Sequence, residues 1–155
     1  MDAQAALPTL FGRLTAVLNE HQHLGVTTRK LTELRAALKS GQLELSADLR
    51  PGPLLEDFER ELSQHFSAEE ADTHFGAVAR ERPALLPDVV ALKEDHRSML
   101  RSIETLRLAA ADEARWVELP EALQQLLDQL RQHELAEARL LGEFFSREEP
   151  AIRAP

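Results

Sequence analysis

Two short stretches of the sequence carry a histidine followed four residues later by a glutamate, namely His65 with Glu69 and His133 with Glu137. On an α-helix, side chains four residues apart lie on one face, about one turn from each other. In both stretches that face also carries leucine and phenylalanine side chains of the predicted core. A bare carboxylate is costly in such a place. Two carboxylates, each beside a histidine, therefore indicate bound metal ions.

Two more histidines, His21 and His96, lie on apolar stripes whose residues recur at steps of three and four, which is the pattern of a helix. Each of four predicted helices then contributes one core-facing histidine near its middle. Imidazole and carboxylate groups form a ligand set suited to iron, manganese or zinc. For one motif alone, a buried histidine and glutamate that share a proton would be a fair explanation. For both motifs together with two further histidines, a metal site is favoured.

Six donor side chains favour two metal ions over one, because a tetrahedral zinc ion takes only about four ligands. If both glutamates bridge two octahedral ions, one or two positions stay open for a small molecule such as dioxygen. The predicted metal ligands are His21, His65, Glu69, His96, His133 and Glu137.

The remaining histidines, His23 and His74, are predicted to face water. His23 lies about 200° round its helix from His21, and His74 lies about 180° from the apolar seam of the second helix. A local distortion of that helix is the one way in which His74 would contribute to the site. Acidic residues next to the predicted ligands are expected to be surface charges, unless one accepts the second ring N–H of a ligand histidine. These neighbours are Glu20, Glu70, Asp95 and Glu134.

The elements that must position these side chains are helices. The apolar residues are mainly leucine and alanine, aromatic residues make up only 5 % of the chain, and both features favour helix over sheet. A length of 155 residues suits a single domain, residues 1–155, with an apolar core. Short connectors predict an all-α, up-down-up-down antiparallel four-helix bundle. The predicted helices are about 9–40, 53–81, 87–111 and 120–147, followed by a frayed tail, 148–155.

Composition excludes several classes of function. The chain has no cysteine, so disulfides and thiolate-ligated metals are excluded. A net charge of −9 with scattered basic residues argues against nucleic acid and anionic membranes as partners. We see no signal peptide and no apolar run of the ~20 residues that a membrane span needs, so a cytoplasmic location is expected. No phosphate-binding glycine loop or serine nucleophile motif is present.

Four short motifs resemble the hemerythrin-like (HHE cation-binding) domain over about residues 10–146. They are Leu18–His21, His65–Glu70, Glu94–His96 and His133–Glu137, each on its own predicted helix. The resemblance implies a non-haem di-iron centre with an oxo or hydroxo bridge, for which manganese or zinc could substitute. It further implies that the four histidines are terminal ligands and that Glu69 and Glu137 bridge. Oxygen-carrying hemerythrins differ in having a fifth histidine on the third helix and a bridging aspartate, and His74-Phe75 stands where the family often has Phe-Pro.

The function expected from these residues is binding of dioxygen or a related small molecule, nitric oxide or peroxide, for sensing, binding or scavenging. Iron storage or donation and a redox enzyme are alternatives that use the same di-iron centre. A metal-free structural bundle is the least favoured alternative. We expect a metal- and small-molecule-binding protein rather than an enzyme. The sequence leaves open the metal loaded in the cell, the electron donor and the oligomeric state.

Overall fold

The computed structural model describes residues 24–42 and 44–146, and all regular structure within these ranges is helical. We number the helices in chain order. They are α1 (24–39 in its described part), α2 (Pro51–Glu70), the short α3 (Phe75–Glu81), α4 (Leu86–Ala110) and α5 (Leu119–Phe145). The all-α fold class is confirmed. The predicted start of the first helix, both His21 and His23, and the tail 148–155 lie outside the described residues.

Helix ends follow the local sequence. α1 ends in a Schellman motif, in which the N–H of Gln42 donates to the carbonyl of Ala37 and the N–H of Gly41 to that of Leu38, both at 3.1 Å. Gly41 has a φ of +77°, a conformation that glycine adopts without steric cost. Proline lies at the first or second position of α2, α4 and α5, where its missing N–H is not needed.

Helices α2 and α4 are joined by polar contacts at two levels. Arg107 of α4 donates to Glu59 of α2 at 2.6 Å, and His96 of α4 meets Glu70 of α2 at 2.7 Å. Going back along α4 therefore corresponds to going forward along α2. This order is compatible with antiparallel packing of the two helices.

Helices α4 and α5 show the same order of contacts. The hydroxyl of Ser102 donates to Gln129 at 3.3 Å, and the ring nitrogens of His96 and His133 lie 3.2 Å apart. At the other side of α5, the Arg35 guanidinium of α1 donates to the carbonyl of Pro120 at 3.2 Å. The described contacts are thus compatible with the predicted up-down bundle.

Two apolar clusters fill the interior, one on each side of a polar layer. The larger cluster draws on all four long helices and includes Leu31, Phe58, Ile103 and Leu123. The smaller cluster is built on α3 and consists of Phe75, Val78, Leu85, Val89, Leu92 and Leu140. Along α4, His96 lies between Leu92 of the smaller cluster and Met99 of the larger one. Along α5, His133 and Glu137 lie between Leu130 and Leu140 in the same way.

The predicted helix 53–81 is wrong in one respect, because it is interrupted. α2 ends at Glu70, Ala71 has an extended backbone (φ −61°, ψ 153°), and α3 begins at Phe75. Asp72 and Thr73 lie in the intervening turn, and both residue types compete with the helical backbone for hydrogen bonds. The helical phase of α2 therefore does not extend to His74.

The connector before α5 covers one end of the core. Trp116 is partly buried against the larger cluster, and its indole N–H donates to the carbonyl of Ala110 at 3.0 Å. Leu45 and Leu49 of the first connector also pack against this cluster, and so these side chains close one end of the core. Within the described ranges, no helix combines the length and the apolar character that crossing a membrane requires.

Candidate metal centre

Five of the six predicted ligands lie in the described part of the chain, and the structure buries all of them. Glu69 is fully shielded from solvent, and the other four side chains belong to residues with at most 4 % relative exposure. They come from three helices, with His65 and Glu69 on α2, His96 on α4, and His133 and Glu137 on α5. The sixth predicted ligand, His21, lies outside the described residues.

Glu69 lies at the centre of this layer, with its two carboxylate oxygens facing different histidines. Oε1 is 2.5 Å from Nε2 of His65. Oε2 is 2.9 Å from Nε2 of His96 and 3.6 Å from Nε2 of His133. One carboxylate therefore links histidines from three helices, and each oxygen has its own set of nitrogen neighbours.

The donor atoms form two groups in which every atom lies within 4.8 Å of the others. The first group comprises Glu69, His96 and His133, and the second comprises His65, Glu69 and Glu137. Glu69 is the member that they share, which is the position required of a carboxylate that bridges two ions. Glu137 belongs to the second group alone, and its bridging role stays a prediction.

Distances within the groups fit donors that surround a metal ion. With metal–ligand bonds of about 2.0–2.2 Å, neighbouring donors on one ion lie about 3 Å apart. The separations of 2.9 Å between His96 and Glu69 and 3.2 Å between His96 and His133 match this value. The first donor group therefore fits a bound metal ion.

The hydrogen bond between His96 and Glu70 indicates which ring nitrogen of His96 carries the proton. Its Nδ1 lies 2.7 Å from Oε1 of Glu70, a carboxylate that can only accept. In a neutral ring with the proton on Nδ1, Nε2 presents a lone pair, here facing the carboxylate oxygen of Glu69. A lone pair and a carboxylate oxygen at 2.9 Å need positive charge between them, which either a proton or a metal ion supplies.

Glu70 is not a simple surface charge but takes the alternative role that the sequence left open, accepting the second ring N–H of a predicted ligand histidine. Its position in sequence points it away from the His65–Glu69 face, yet its carboxylate reaches His96. The reason is that Glu70 is the last residue of α2, where α4 passes close by, and its long side chain can turn towards the ring. Asp95 approaches His133 more loosely, with Oδ2 at 3.6 Å from Nδ1, beyond hydrogen-bond distance. Of these two acidic residues, Glu70 thus lies within hydrogen-bond distance of a predicted ligand histidine and Asp95 does not.

Two phenylalanine rings lie nearly parallel to the His96 imidazole. Phe66 stacks on it with ring centroids 3.8 Å apart and an interplanar angle of 10°. Phe75, at the start of α3, lies 5.9 Å away at 16°. Both phenylalanines are buried. They limit the rotation of the imidazole and exclude water from this side of the site.

His74 does not face water as predicted. Its side chain is only 13 % exposed, and Nε2 lies 3.3 Å from Oε1 of Glu137. The prediction assumed a continuous helix, and the turn after Glu70 rotates His74 towards α5. Sequence reasoning also did not place Phe75 against the site. The sequence carries only a weak signal for this turn, namely the low helix propensity of Asp72, Thr73 and Gly76.

The donors of this layer are imidazole nitrogens and carboxylate oxygens, a set that proteins use for iron, manganese and zinc. Comparison of the chain with models of protein families, with curated proteins and with solved structures finds no match. The assignment as a metal centre therefore rests on the donor atoms, their burial and their mutual distances.

Proposed function

We propose that this protein is a hemerythrin-like, non-haem dinuclear metal protein that binds dioxygen or a related small molecule inside a four-helix bundle. The observation that carries the proposal is the placement of Glu69, whose two oxygens face His65 on one side and His96 with His133 on the other. A buried carboxylate between two sets of imidazoles is what a bridge between two ions requires. Iron is the metal that we expect.

The proposed bundle is up-down-up-down and antiparallel. It is supported by the order of contacts between α2 and α4 and between α4 and α5, in which higher residue numbers on one helix meet lower numbers on the next. His96 and His133 lie near the middles of α4 and α5, whereas Glu69 is next to the last residue of α2. In an antiparallel bundle the middle of the first helix lies level with the middles of α4 and α5. The ligand predicted at His21, on the first helix, would then reach the same layer.

Each ion has its own set of donors from this chain. His96, His133 and Oε2 of Glu69 would hold one ion, and His65, Oε1 of Glu69 and Glu137 would hold the other. When bound, a pair of iron ions supplies a redox-active centre for dioxygen, nitric oxide or peroxide. Phe66 and Phe75 keep water away from His96, and Glu70 fixes its orientation by accepting from Nδ1.

The test is metal analysis of the protein after loading with ferrous iron without oxygen, together with absorption spectra before and after oxygen is admitted. We expect about two irons per chain and an oxygen-dependent charge-transfer band that disappears when oxygen is removed. Consumption of many equivalents of peroxide or nitric oxide would favour a redox enzyme, and ready transfer of iron to an acceptor would favour iron donation. A chain that takes up no metal would contradict the proposal and leave the structural bundle.

A further inference from the structure

The turn between α2 and α3 brings one more histidine to the site. Ala71, in extended conformation, ends α2, and its carbonyl accepts from the N–H of His74 at 3.0 Å and from that of Gly76 at 3.3 Å. The turn is therefore closed by hydrogen bonds. It also fixes the next residue, Phe75, which is fully buried against His96. His74 is thus held between an ordered turn and a buried ring.

The imidazole of His74 is directed at Glu137. Its Nε2 is shielded from water and lies 3.3 Å from Oε1 of that glutamate. His74 comes from the turn and Glu137 from α5, so the contact bridges two separate parts of the fold. The two atoms face each other at this distance without the alignment of a hydrogen bond. A small rotation of the ring would let Nε2 donate its N–H to one carboxylate oxygen and leave the other oxygen for a different partner.

The two donor groups separate His74 from the predicted metal ligands. Glu137 shares a group of mutually close donors with His65 and Glu69, and in the described part of the chain neither such group includes His74. His74 is therefore close to Glu137 without joining the donors that Glu137 approaches. This arrangement is typical of an outer partner that orients a ligand, rather than of a ligand.

We propose that His74 is a positioning residue for Glu137, and that it sets the affinity of the ion shared by His65, Glu69 and Glu137. In the metal-bound protein the N–H at Nε2 donates to Oε1 of Glu137, so that the other carboxylate oxygen faces the ion. The ion on the His96 and His133 side has no such dependence. This inference rests on the proposed dinuclear site and assigns His74 a role within it.

The test is a titration of the metal-free full-length protein with cobalt(II), followed by visible absorption, which reports each binding step. The wild type is expected to bind two ions in two steps. In His74→Ala, the first step is expected to stay unchanged and the second to weaken by about 10- to 100-fold, the usual loss when an outer partner is removed. His74→Gln is expected to restore most of this loss, because its amide N–H can take the place of the Nε2 donor.

Thr73→Ala is the matched control, since Thr73 is exposed in the same turn and is expected to bind both ions as the wild type does. An unchanged second step in His74→Ala would overturn the inference and leave the proposed function standing. Equal weakening in His74→Gln and His74→Ala, or loss of both ions in His74→Ala, would also overturn it, because neither follows from a hydrogen bond to Glu137. A wild type that binds no cobalt would overturn both proposals.

Discussion

Among the side chains of residues 24–42 and 44–146, Glu69 alone belongs to both groups of donors. It is fully buried, and its oxygens contact histidines of α2 and α4. A buried carboxylate of this kind is stable only beside positive charge. The number of ions that the chain binds should therefore depend more on Glu69 than on any other acidic residue of the site.

Replacing Glu69 by glutamine removes a negative donor from both groups, whereas Glu137→Gln removes one from the second group only. We expect Glu69→Gln to retain little metal after desalting and Glu137→Gln to retain about one ion per chain, as measured by elemental analysis. Glu134→Gln, at an exposed position of the same helix, should retain about two. Equal retention by Glu69→Gln and Glu134→Gln would show that Glu69 binds no metal.

Glu70 and Asp95, the acidic residues next to His96 and His133, should contribute unequally to metal affinity. Glu70 accepts from His96 at 2.7 Å, and Asp95 lies 3.6 Å from His133. We expect Glu70→Ala to weaken metal binding by about 10- to 100-fold in a chelator competition assay, because the ring of His96 loses its fixed orientation. Asp95→Ala should have a clearly smaller effect. The reverse order would mean that these distances do not reflect the outer partners of the metal-bound protein.

For individual residues, the sequence predicts which side chains of one unbroken helix lie on the same face. His65 with Glu69 and His133 with Glu137 are placed by a spacing of four, and the structure brings both pairs into one buried layer. His74 was predicted on the wrong side because its orientation depends on where α2 stops. The reach of Glu70 to His96 depends on how α2 and α4 approach each other, which periodicity does not encode.

Among the elements, the sequence marks one of two helix ends clearly and the other hardly at all. The break at Gly41 follows a clear signal, since a glycine with positive φ closes a Schellman motif at the end of α1. The break at 71–74 has no proline and no glycine at the point where the chain turns, and the sequence therefore reads as one helix there. Local sequence predicts helix ends best where a single residue type is required by the backbone.

Alanine substitutions at two glycines test this view of the elements. Gly41→Ala forces a side chain into a positive φ and should lower the free energy of unfolding by about 1 kcal/mol. Gly142→Ala, within α5 and with no atom near the added methyl group, should raise it by a few tenths of a kcal/mol to about 1 kcal/mol. Chemical denaturation of metal-free protein measures both. A stabilising Gly41→Ala would contradict the assigned end of α1.

In the molecule as a whole, the buried polar layer separates two apolar clusters. The smaller cluster is built on α3 and the start of α4, and the larger one fills the rest of the described core. Donors on α2, α4 and α5 meet between them, so a bound ion would connect three helices that are far apart in sequence. Metal binding and folding should therefore be coupled.

This coupling predicts a large effect of metal on thermal stability. At a free metal concentration about 100 times the dissociation constant, each ion adds about 2.7 kcal/mol to the free energy of unfolding. For a chain of this size, two ions then raise the melting temperature by about 10–20 °C. Differential scanning calorimetry with and without ferrous iron measures the shift. As a control, chelator added to metal-free protein should not shift the melting temperature. A melting temperature that is the same with and without iron would argue against metal sites in the interior.

The most direct measurement is anomalous X-ray diffraction at the iron absorption edge from crystals of the iron-loaded protein. The proposed arrangement predicts two anomalous peaks on opposite sides of the Glu69 carboxylate, one beside Oε2 with His96 and His133 and one beside Oε1 with His65. A single peak at full loading, two peaks away from Glu69, or none would contradict a dinuclear centre bridged by this residue.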